Sequence, residues 1–242
     1  MRVLKTCAVT VVVSLVVVAC GGVEPAATTT TQPPISTTST EIVPTSTTST
    51  TLPGEVIDFG PMEGDVLMVI GVRHDDVLNL RSGPGIDQDI VGEMAADFKE
   101  MIALGETRQI PDAFWIAVEI GGMPGWVNMR YIGYEGATDD LTSQVVADLG
   151  GIPMADTMVE LGLLVVETMA SEDPASDIVV VVDETVGDLG EVTYDVVGLG
   201  DDAVRGLRVH VFGQPSADGF SLKSVEVTTI CGRGISPDGL CP

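Results

Sequence analysis

Two histidines, His74 and His210, are the side chains best suited to act as general bases or to bind a transition metal. His74 is followed by two aspartates, but one histidine beside adjacent carboxylates lacks the spacing of ligands that converge on a metal ion. His210 lies in the alternating run 207–211, on the face that also carries Arg208. Nucleophilic catalysis needs an activated Ser, Cys or Thr beside a positioned base, and the sequence indicates no such pair. We therefore expect no enzymatic activity, no metal and no cofactor.

The four cysteines fall into two separate pairs. Cys7 and Cys20 lie in the first 20 residues, whereas Cys231 and Cys241 lie in the last 12. The second pair encloses a glycine-rich segment, and because the chain begins with an export signal we predict a disulfide there. A loop of this size gives roughly 3 kcal/mol of stabilisation in the chain-entropy description of disulfides. The bond would hold a terminus that otherwise frays.

Residues 1–19 have the three parts of an export signal, namely a positive start, an apolar run over residues 8–18 and a small residue before the cut. The apolar run is shorter than the roughly 20 residues that span a bilayer. Its end, Val17-Val18-Ala19-Cys20, resembles the lipobox of bacterial lipoproteins, whose cysteine is lipidated and becomes the new N-terminus. The resemblance implies a lipid anchor on Cys20 that holds the protein at the outer face of the cytoplasmic membrane. An ordinary signal peptide with an incidental cysteine is the alternative.

Residues 20–53 consist largely of Thr and Ser with scattered Pro. They carry too little apolar surface to offset the entropy of ordering the chain, so we predict a disordered linker. Composition of this kind is typical of extended stalks, some of which are O-glycosylated. The linker would hold the folded part away from the lipid surface.

The formal charge of −25 arises from 36 acidic and only 11 basic residues. Nucleic acids and anionic membrane surfaces both require a positive patch, so neither is expected as a direct partner of the folded part. The acidity is explained most simply by solubility and a solvated surface. A carboxylate-rich enzyme or a calcium binder is the less favoured reading.

Short β-forming runs follow one another from residue 66, separated by Gly or Pro, and they occupy residues 66–70, 77–80, 101–104, 114–120 and 125–127. Short strands at roughly ten-residue spacing indicate a small barrel or sandwich. We place this domain at residues 54–136.

Residues 66–133 resemble a bacterial SH3 (SH3b) domain. The phrases that carry the resemblance stand in the family's order: Leu78-Asn79-Leu80-Arg81-Ser82-Gly83-Pro84-Gly85, Ile90-Val91-Gly92-Glu93, Trp115-Ile116-Ala117-Val118, and Gly125-Trp126-Val127-Asn128 with Tyr131-Ile132 after it. The resemblance implies a small half-open β-barrel that serves as a targeting or ligand-binding module in envelope proteins. Several relatives recognise cell-wall peptide, and the candidate ligand-binding residues here are Trp126, Arg81 and Tyr131.

The turn after the second predicted strand has residues that restrict the backbone. Gly83 and Gly85 allow backbone angles that other residues resist, and Pro84 fixes φ. Arg81, at the edge of this turn, can donate hydrogen bonds to turn carbonyls, which is an alternative to direct ligand contact. A place in the core or at the rim is the alternative to a ligand-binding role for Trp126, and Trp115 is more strongly predicted to lie in the core.

Residues 137–242 have a different pattern. Thr138-Asp139-Asp140 suggests a helix N-cap, followed by Leu141, Val145 and Leu149 on one face, and residues 155–170 form a second, mostly buried helix. Four β-like runs follow at residues 178–182, 191–197, 205–212 and 220–230. Two helices before four strands predict an α+β domain whose antiparallel sheet is covered on one face.

Together these patterns predict a membrane-anchored envelope lipoprotein that displays an SH3b module for non-catalytic recognition of cell-wall peptide. The alternative is an envelope assembly protein whose C-terminal α+β domain docks another protein.

Overall fold

The computed structural model describes residues 51–111 and 113–242, in which β-branched and aromatic runs form thirteen antiparallel strands. The first eight strands are β1 Glu55–Ile57, β2 Val66–Val69, β3 Val77–Arg81, β4 Ile90–Ala95, β5 Met101–Ile110, β6 Ala113–Ile120, β7 Met123–Asn128 and β8 Ile132–Asp140. The remaining five are β9 Met154–Ala155, β10 Asp177–Val186, β11 Gly190–Val197, β12 Val204–Ser216 and β13 Gly219–Cys231. Two α-helices, α1 Thr142–Asp148 and α2 Met158–Glu167, and one short 3-10 turn, Met129–Tyr131, complete the secondary structure of the described residues.

The strands join into a single sheet in the order β10-β11-β12-β13-β8-β2-β5-β6-β7-β3-β4, with β1 beside β5 and β9 beside β13. The sheet has two ends, at β10 and β4, and is not closed. The predicted mainly antiparallel β architecture is confirmed. The strands predicted between residues 66 and 127 all form, and the four predicted in residues 178–230 form as β10 to β13.

Strand β8 joins the two halves of the sheet. Its start pairs with β2, where Ile132 lies opposite Val69, and its end pairs with β13, where Asp139 lies opposite Val227. The domain boundary predicted after residue 136 therefore falls inside a strand. The described residues from 51 onward belong to one compact unit.

The predicted start of the first helix was wrong. Thr138 and Asp140 belong to β8 and pair with Thr228 and Glu226, so their backbone groups take part in the sheet and do not start a helix. The helix begins at Thr142, whose backbone N–H donates to the Asp140 carboxylate at 2.9 Å. Asp140 thus accepts a hydrogen bond from the first turn of the helix although it lies outside the helix. Hydrogen bonding from the Thr142 side chain and from its backbone N–H holds the pKa of the Asp140 carboxyl below the usual range.

The second helix is shorter than the predicted 155–170 and begins with a capping box between Thr157 and Glu160. Its inner stripe was predicted correctly, because Met158, Leu161 and Val165 are fully buried against β11 and β12. Its outer side is not buried as predicted, since Leu163 and Leu164 are 40% and 39% exposed. The helices cover one face of β10 to β13.

The other face of β11 and β12 carries a buried ion pair, Asp195 with Arg208, that contacts the first half of the molecule. Arg208 Nε donates to Asp195 Oδ1 at 2.8 Å, and its Nη2 donates to the Val69 carbonyl at 2.8 Å. Asp195 Oδ2 accepts from the backbone N–H of Gly71 at 2.8 Å. Buried charges need a partner and further hydrogen bonds to offset desolvation, and this pair obtains them across the junction.

The predicted disulfide between Cys231 and Cys241 is confirmed. Cys231 is buried at the end of β13, and the loop that the bond closes returns to β8, where the Ala137 N–H donates to the Gly239 carbonyl at 2.8 Å. The predicted signal segment, Cys20 and most of the 20–53 linker lie outside the described residues. Among the described helices, none has the length and apolar character needed to cross a membrane.

Candidate functional site

A cavity of about 320 Å³ opens beside strand β3 in the first half of the sheet. The loop before β3, the turn after it, the start of β6 and the end of β7 form its walls. Its lining combines apolar, amide, cationic and aromatic groups, which come from Gly71, Val72, Arg73, Asp76, Val77, Leu78, Asn79, Arg81, Ile86, Trp115, Asn128 and Tyr131. A cavity of this size and mixed lining suits a small organic ligand or a short peptide segment.

Trp115 is the most deeply buried aromatic residue of the lining, with 2% of its surface exposed. It is held in β6, between Arg108 of β5 and Asn128 of β7. Its indole Nε1 is buried and has no hydrogen-bond partner in the part of the chain that the structure describes. A buried donor without an acceptor costs about 1–3 kcal/mol.

Arg81 ends β3 and holds the following turn. Its Nη1 donates to the carbonyls of Ile86 and Gln88 at 2.8 and 2.9 Å, which confirms the predicted hydrogen bonding to the turn. A guanidinium group has five N–H donors, and within residues 51–111 and 113–242 Nε and Nη2 of Arg81 make no hydrogen bond. The same side chain can therefore hold the turn and offer donors to a carboxylate.

The two turn glycines differ in backbone conformation. Gly85 has φ of +131°, in the region that glycine enters without strain, as predicted. Gly83 does not have a positive φ, so the predicted reason is wrong for this residue. A Cβ on Gly83 would lie 2.9 Å from the Gln88 side-chain oxygen, which is at the end of a flexible side chain and can move aside.

Tyr131 and Asn128 lie on the side of the cavity formed by the single 3-10 turn Met129–Tyr131. The Asn128 side-chain oxygen accepts from the Arg130 N–H at 2.9 Å, which directs the amide oxygen into the turn and leaves its NH₂ group without a described partner. Tyr131 is half-buried, and the Arg130 guanidinium lies 5.8 Å from its ring centroid. Tyr131, a predicted ligand-binding residue, is thus brought together with Arg81.

The loop before β3 contributes the second arginine of the lining. Arg73 is exposed and makes two hydrogen bonds to Asp75, at 2.9 and 3.0 Å. The hydrogen bond from Arg73 holds the pKa of the Asp75 carboxyl below its usual range. Because Arg73 is already paired, Arg81 is the lining cation better placed to bind an anionic ligand group.

Trp126, the third predicted ligand-binding residue, does not line this cavity. It is 6% exposed and packs with Trp115 and Ala117 in a small cluster beneath Leu52. Trp115 was predicted to lie in the core, and its indole N–H was not identified from the sequence as a candidate binding group. The sequence did hold one signal for it. A buried tryptophan usually needs an acceptor for its N–H, and the neighbouring residues of the strand, 114 and 116–118, have no polar side chain that could accept this hydrogen bond.

Neither histidine belongs to the cavity lining, although His74 lies between the lining residues Arg73 and Asp76. His74 is exposed, and its backbone N–H donates to the Val180 carbonyl at 2.9 Å. His210 Nε2 lies 3.2 Å from a Glu191 carboxylate oxygen, and its ring packs against Phe212 with centroids 4.0 Å apart. Among residues 51–111 and 113–242, no group of three or more His, Cys, Asp or Glu side chains is arranged to hold a metal ion.

No protein-family model matches the sequence, and no curated protein or solved structure is significantly similar to the chain.

Proposed function

We propose that this chain is a membrane-anchored cell-envelope lipoprotein that recognises a cell-wall peptide without catalysing a reaction. In this proposal, strands β1 to β7 are an SH3b-related, barrel-like module, and residues 137–242 are an α+β domain built onto it. Cys20 carries the lipid and the Ser/Thr-rich linker provides distance from the membrane. The motifs in residues 1–20 and 66–133 support these assignments.

The observation that carries the binding proposal is that Trp115, whose buried indole N–H has no hydrogen-bond partner in the described residues, belongs to the cavity lining. The neighbouring polar groups are also mainly donors, namely Nε and Nη2 of Arg81, which make no hydrogen bond within the described residues, and the side-chain amide nitrogen of Asn128. A donor-rich cavity selects a ligand rich in carbonyl and carboxylate oxygens. A peptide with a free carboxylate has this chemistry, and the apolar side chains of Val72 and Ile86 can contact its methyl groups.

The lining supports a non-catalytic role. It contains one acidic side chain, Asp76, and neither a histidine nor a cysteine. Hydrolysis by a nucleophile would require an activated side chain beside a base. The lining is better suited to hydrogen bonding and shape recognition.

The test is binding of a synthetic cell-wall stem peptide with a free terminal carboxylate to the purified full chain in detergent. The variant Trp115→Phe keeps an aromatic ring and removes the N–H, so we expect about three- to tenfold weaker binding. Trp126→Phe is the matched control, because Trp126 is buried in the same cluster but does not line the cavity. Amidating the peptide carboxylate should weaken binding about tenfold or more through loss of the charge-assisted bond to Arg81.

Weaker binding by Trp126→Phe together with unchanged binding by Trp115→Phe would contradict the assignment to this cavity. Failure of intact peptidoglycan to retain the chain at low salt would contradict the ligand class.

A further inference from the structure

The outer side of helix α2 carries an exposed stripe that the packing of the second half does not cover. Glu160, Leu163, Leu164 and Glu167 fall at helical spacing of i, i+3, i+4 and i+7, and therefore on one side of the helix. With Ala155 and Asp156 they line a groove of about 500 Å³. Leu163 and Leu164 form its apolar floor and are 40% and 39% exposed.

The rim of this groove is acidic throughout. Its charged residues are Asp156, Glu160 and Glu167, and the sequence has no Lys or Arg between Arg130 and Arg205. Neither helix contains a basic residue. Two leucines between carboxylates are complementary to an apolar segment flanked by positive charges.

We propose that this groove docks an amphipathic helix of a partner protein, with aliphatic anchors on one face and Lys or Arg beside them. A helix is the expected occupant, because side chains exposed at i, i+3, i+4 and i+7 form ridges that pack into the grooves on the surface of a second helix. The aliphatic side chains contact Leu163 and Leu164, and the cations pair with Glu160 and Glu167. The docking site is separate from the Trp115 cavity and does not depend on what the cavity binds.

The charge of the groove favours this occupant over a second copy of the chain and over an anionic lipid surface. A second copy would bring another acidic groove from a chain of formal charge −25, so like charges would face each other. An anionic lipid surface would be repelled for the same reason. The groove is small and has only two apolar anchors, which suits a weak, reversible contact rather than a permanent one.

The test uses the purified full chain and two labelled 18-residue peptides composed of Leu, Ala and Lys. In the first peptide the leucines repeat at helical spacing with lysines beside them, and in the second the same residues are permuted so that no apolar face forms. We expect the first peptide to bind about tenfold or more tightly than the second. In NMR spectra, the amide shifts should change in Met158–Glu167 and not in β3 or β6.

The double variant Leu163→Ser with Leu164→Ser should weaken binding of the first peptide about tenfold. Leu104→Ser is the matched control, because Leu104 is 38% exposed in strand β5 of the other half, and it should leave binding unchanged. Glu160→Gln with Glu167→Gln should weaken binding at low salt and flatten its salt dependence. Equal binding of the two peptides, or unchanged binding by the leucine variant, would overturn the proposal. A dimer in sedimentation that the leucine variant abolishes would instead assign the groove to a second copy.

Discussion

Asp195 and Arg208 are the charged side chains that the described part of the chain buries, with 0% and 6% of their surface exposed. The Asp195 carboxylate accepts hydrogen bonds from Arg208 Nε, Arg208 Nη2 and the Gly71 N–H. Arg208 Nη2 also reaches the carbonyls of Val69 and Ala96, both in the first half of the chain. Arg208 Nη1 is buried without a partner in the described residues. The pair therefore specifies how the two halves meet more than it adds stability.

Removing one partner of this ion pair is predicted to be strongly destabilising. Asp195→Asn leaves the Arg208 charge buried and uncompensated, which costs about 3–5 kcal/mol. For a chain of this size the melting temperature would fall by roughly 10 °C. The variant Arg208→Met with Asp195→Leu should recover part of the loss, and only part, because Gly71, Val69 and Ala96 still lose their hydrogen bonds.

Calorimetry of the single and double variants gives these values. Asp75→Asn is the matched control, because Asp75 pairs with Arg73 in an exposed Arg–Asp pair and should leave the melting temperature unchanged. A loss for Asp195→Asn no larger than that of the control would contradict the prediction.

Single residues of the candidate site were predictable where their chemistry is local. Arg81 beside a Gly-Pro-Gly turn predicted hydrogen bonds to turn carbonyls, and the structure has them. Trp115 was not identified because strand alternation predicts burial but does not reveal whether the indole N–H finds an acceptor. That depends on side chains from β3 and β7, which are distant in the sequence.

At the scale of elements, a buried hydroxyl is among the groups that hydrogen-bond helix α2 to the sheet. Tyr194 of β11 donates to the Val159 carbonyl at 2.7 Å and is 2% exposed. Burial and the nearby carboxylates of Glu184 and Asp183 raise its pKa to about 12. The neutral phenol is therefore favoured in the folded state more than in the unfolded state.

The raised pKa of the Tyr194 phenol predicts a loss of stability at alkaline pH. Below pH 10 the phenol is protonated in both states, so its contribution is fully present. Above that value the unfolded state ionises first, and the contribution is lost as the pH rises through the folded pKa of about 12. Tyr194→Phe should cost about 1 kcal/mol at neutral pH and reduce the fall in stability between pH 10 and 12.

Urea unfolding at several pH values measures both effects. Tyr134→Phe should also reduce the alkaline fall, because burial and Asp65 raise the pKa of Tyr134. Tyr131→Phe serves as the control, since its hydroxyl makes no hydrogen bond in the described part of the chain. An alkaline profile of Tyr194→Phe that matches the wild type would show that the hydrogen bond from Tyr194 to Val159 does not form.

The elements differ in how far the sequence could predict them. Hairpin strands β12 and β13 were predicted closely because alternation and the turn at residues 216–219 are local signals. The extension of β8 over Thr138-Asp139-Asp140 was missed because these residues are also typical of a helix N-cap. What decides between strand and cap is pairing with β13, some 90 residues away. Such non-local pairing cannot be predicted from the residues of the segment alone.

At the scale of the whole molecule, the two halves share a core as well as a sheet. Val181 of β10 and Cys231 of β13 are buried in the same cluster as Leu67, Leu80 and Ile116 of the first half. Met68 and Ile70 pack against Ile230 in a second shared cluster. Sequence composition suggested two domains because the residue pattern changes after residue 134, but burial across the junction depends on contacts that composition does not encode.

A shared sheet, core and ion pair predict that the two halves unfold together. Both tryptophans, Trp115 and Trp126, belong to the first half, so their fluorescence reports on that half alone. Amide exchange in α2 reports on the second half. We expect the two probes to give the same urea midpoint, because unfolding either half would expose the apolar surface that it covers on the other.

Truncation after residue 136 should abolish the folded state of the first half, since it removes Val181, Cys231 and Arg208 together. Two separate midpoints, or a truncated chain whose tryptophan spectrum and cooperative transition match those of the full chain, would show that the halves are independent.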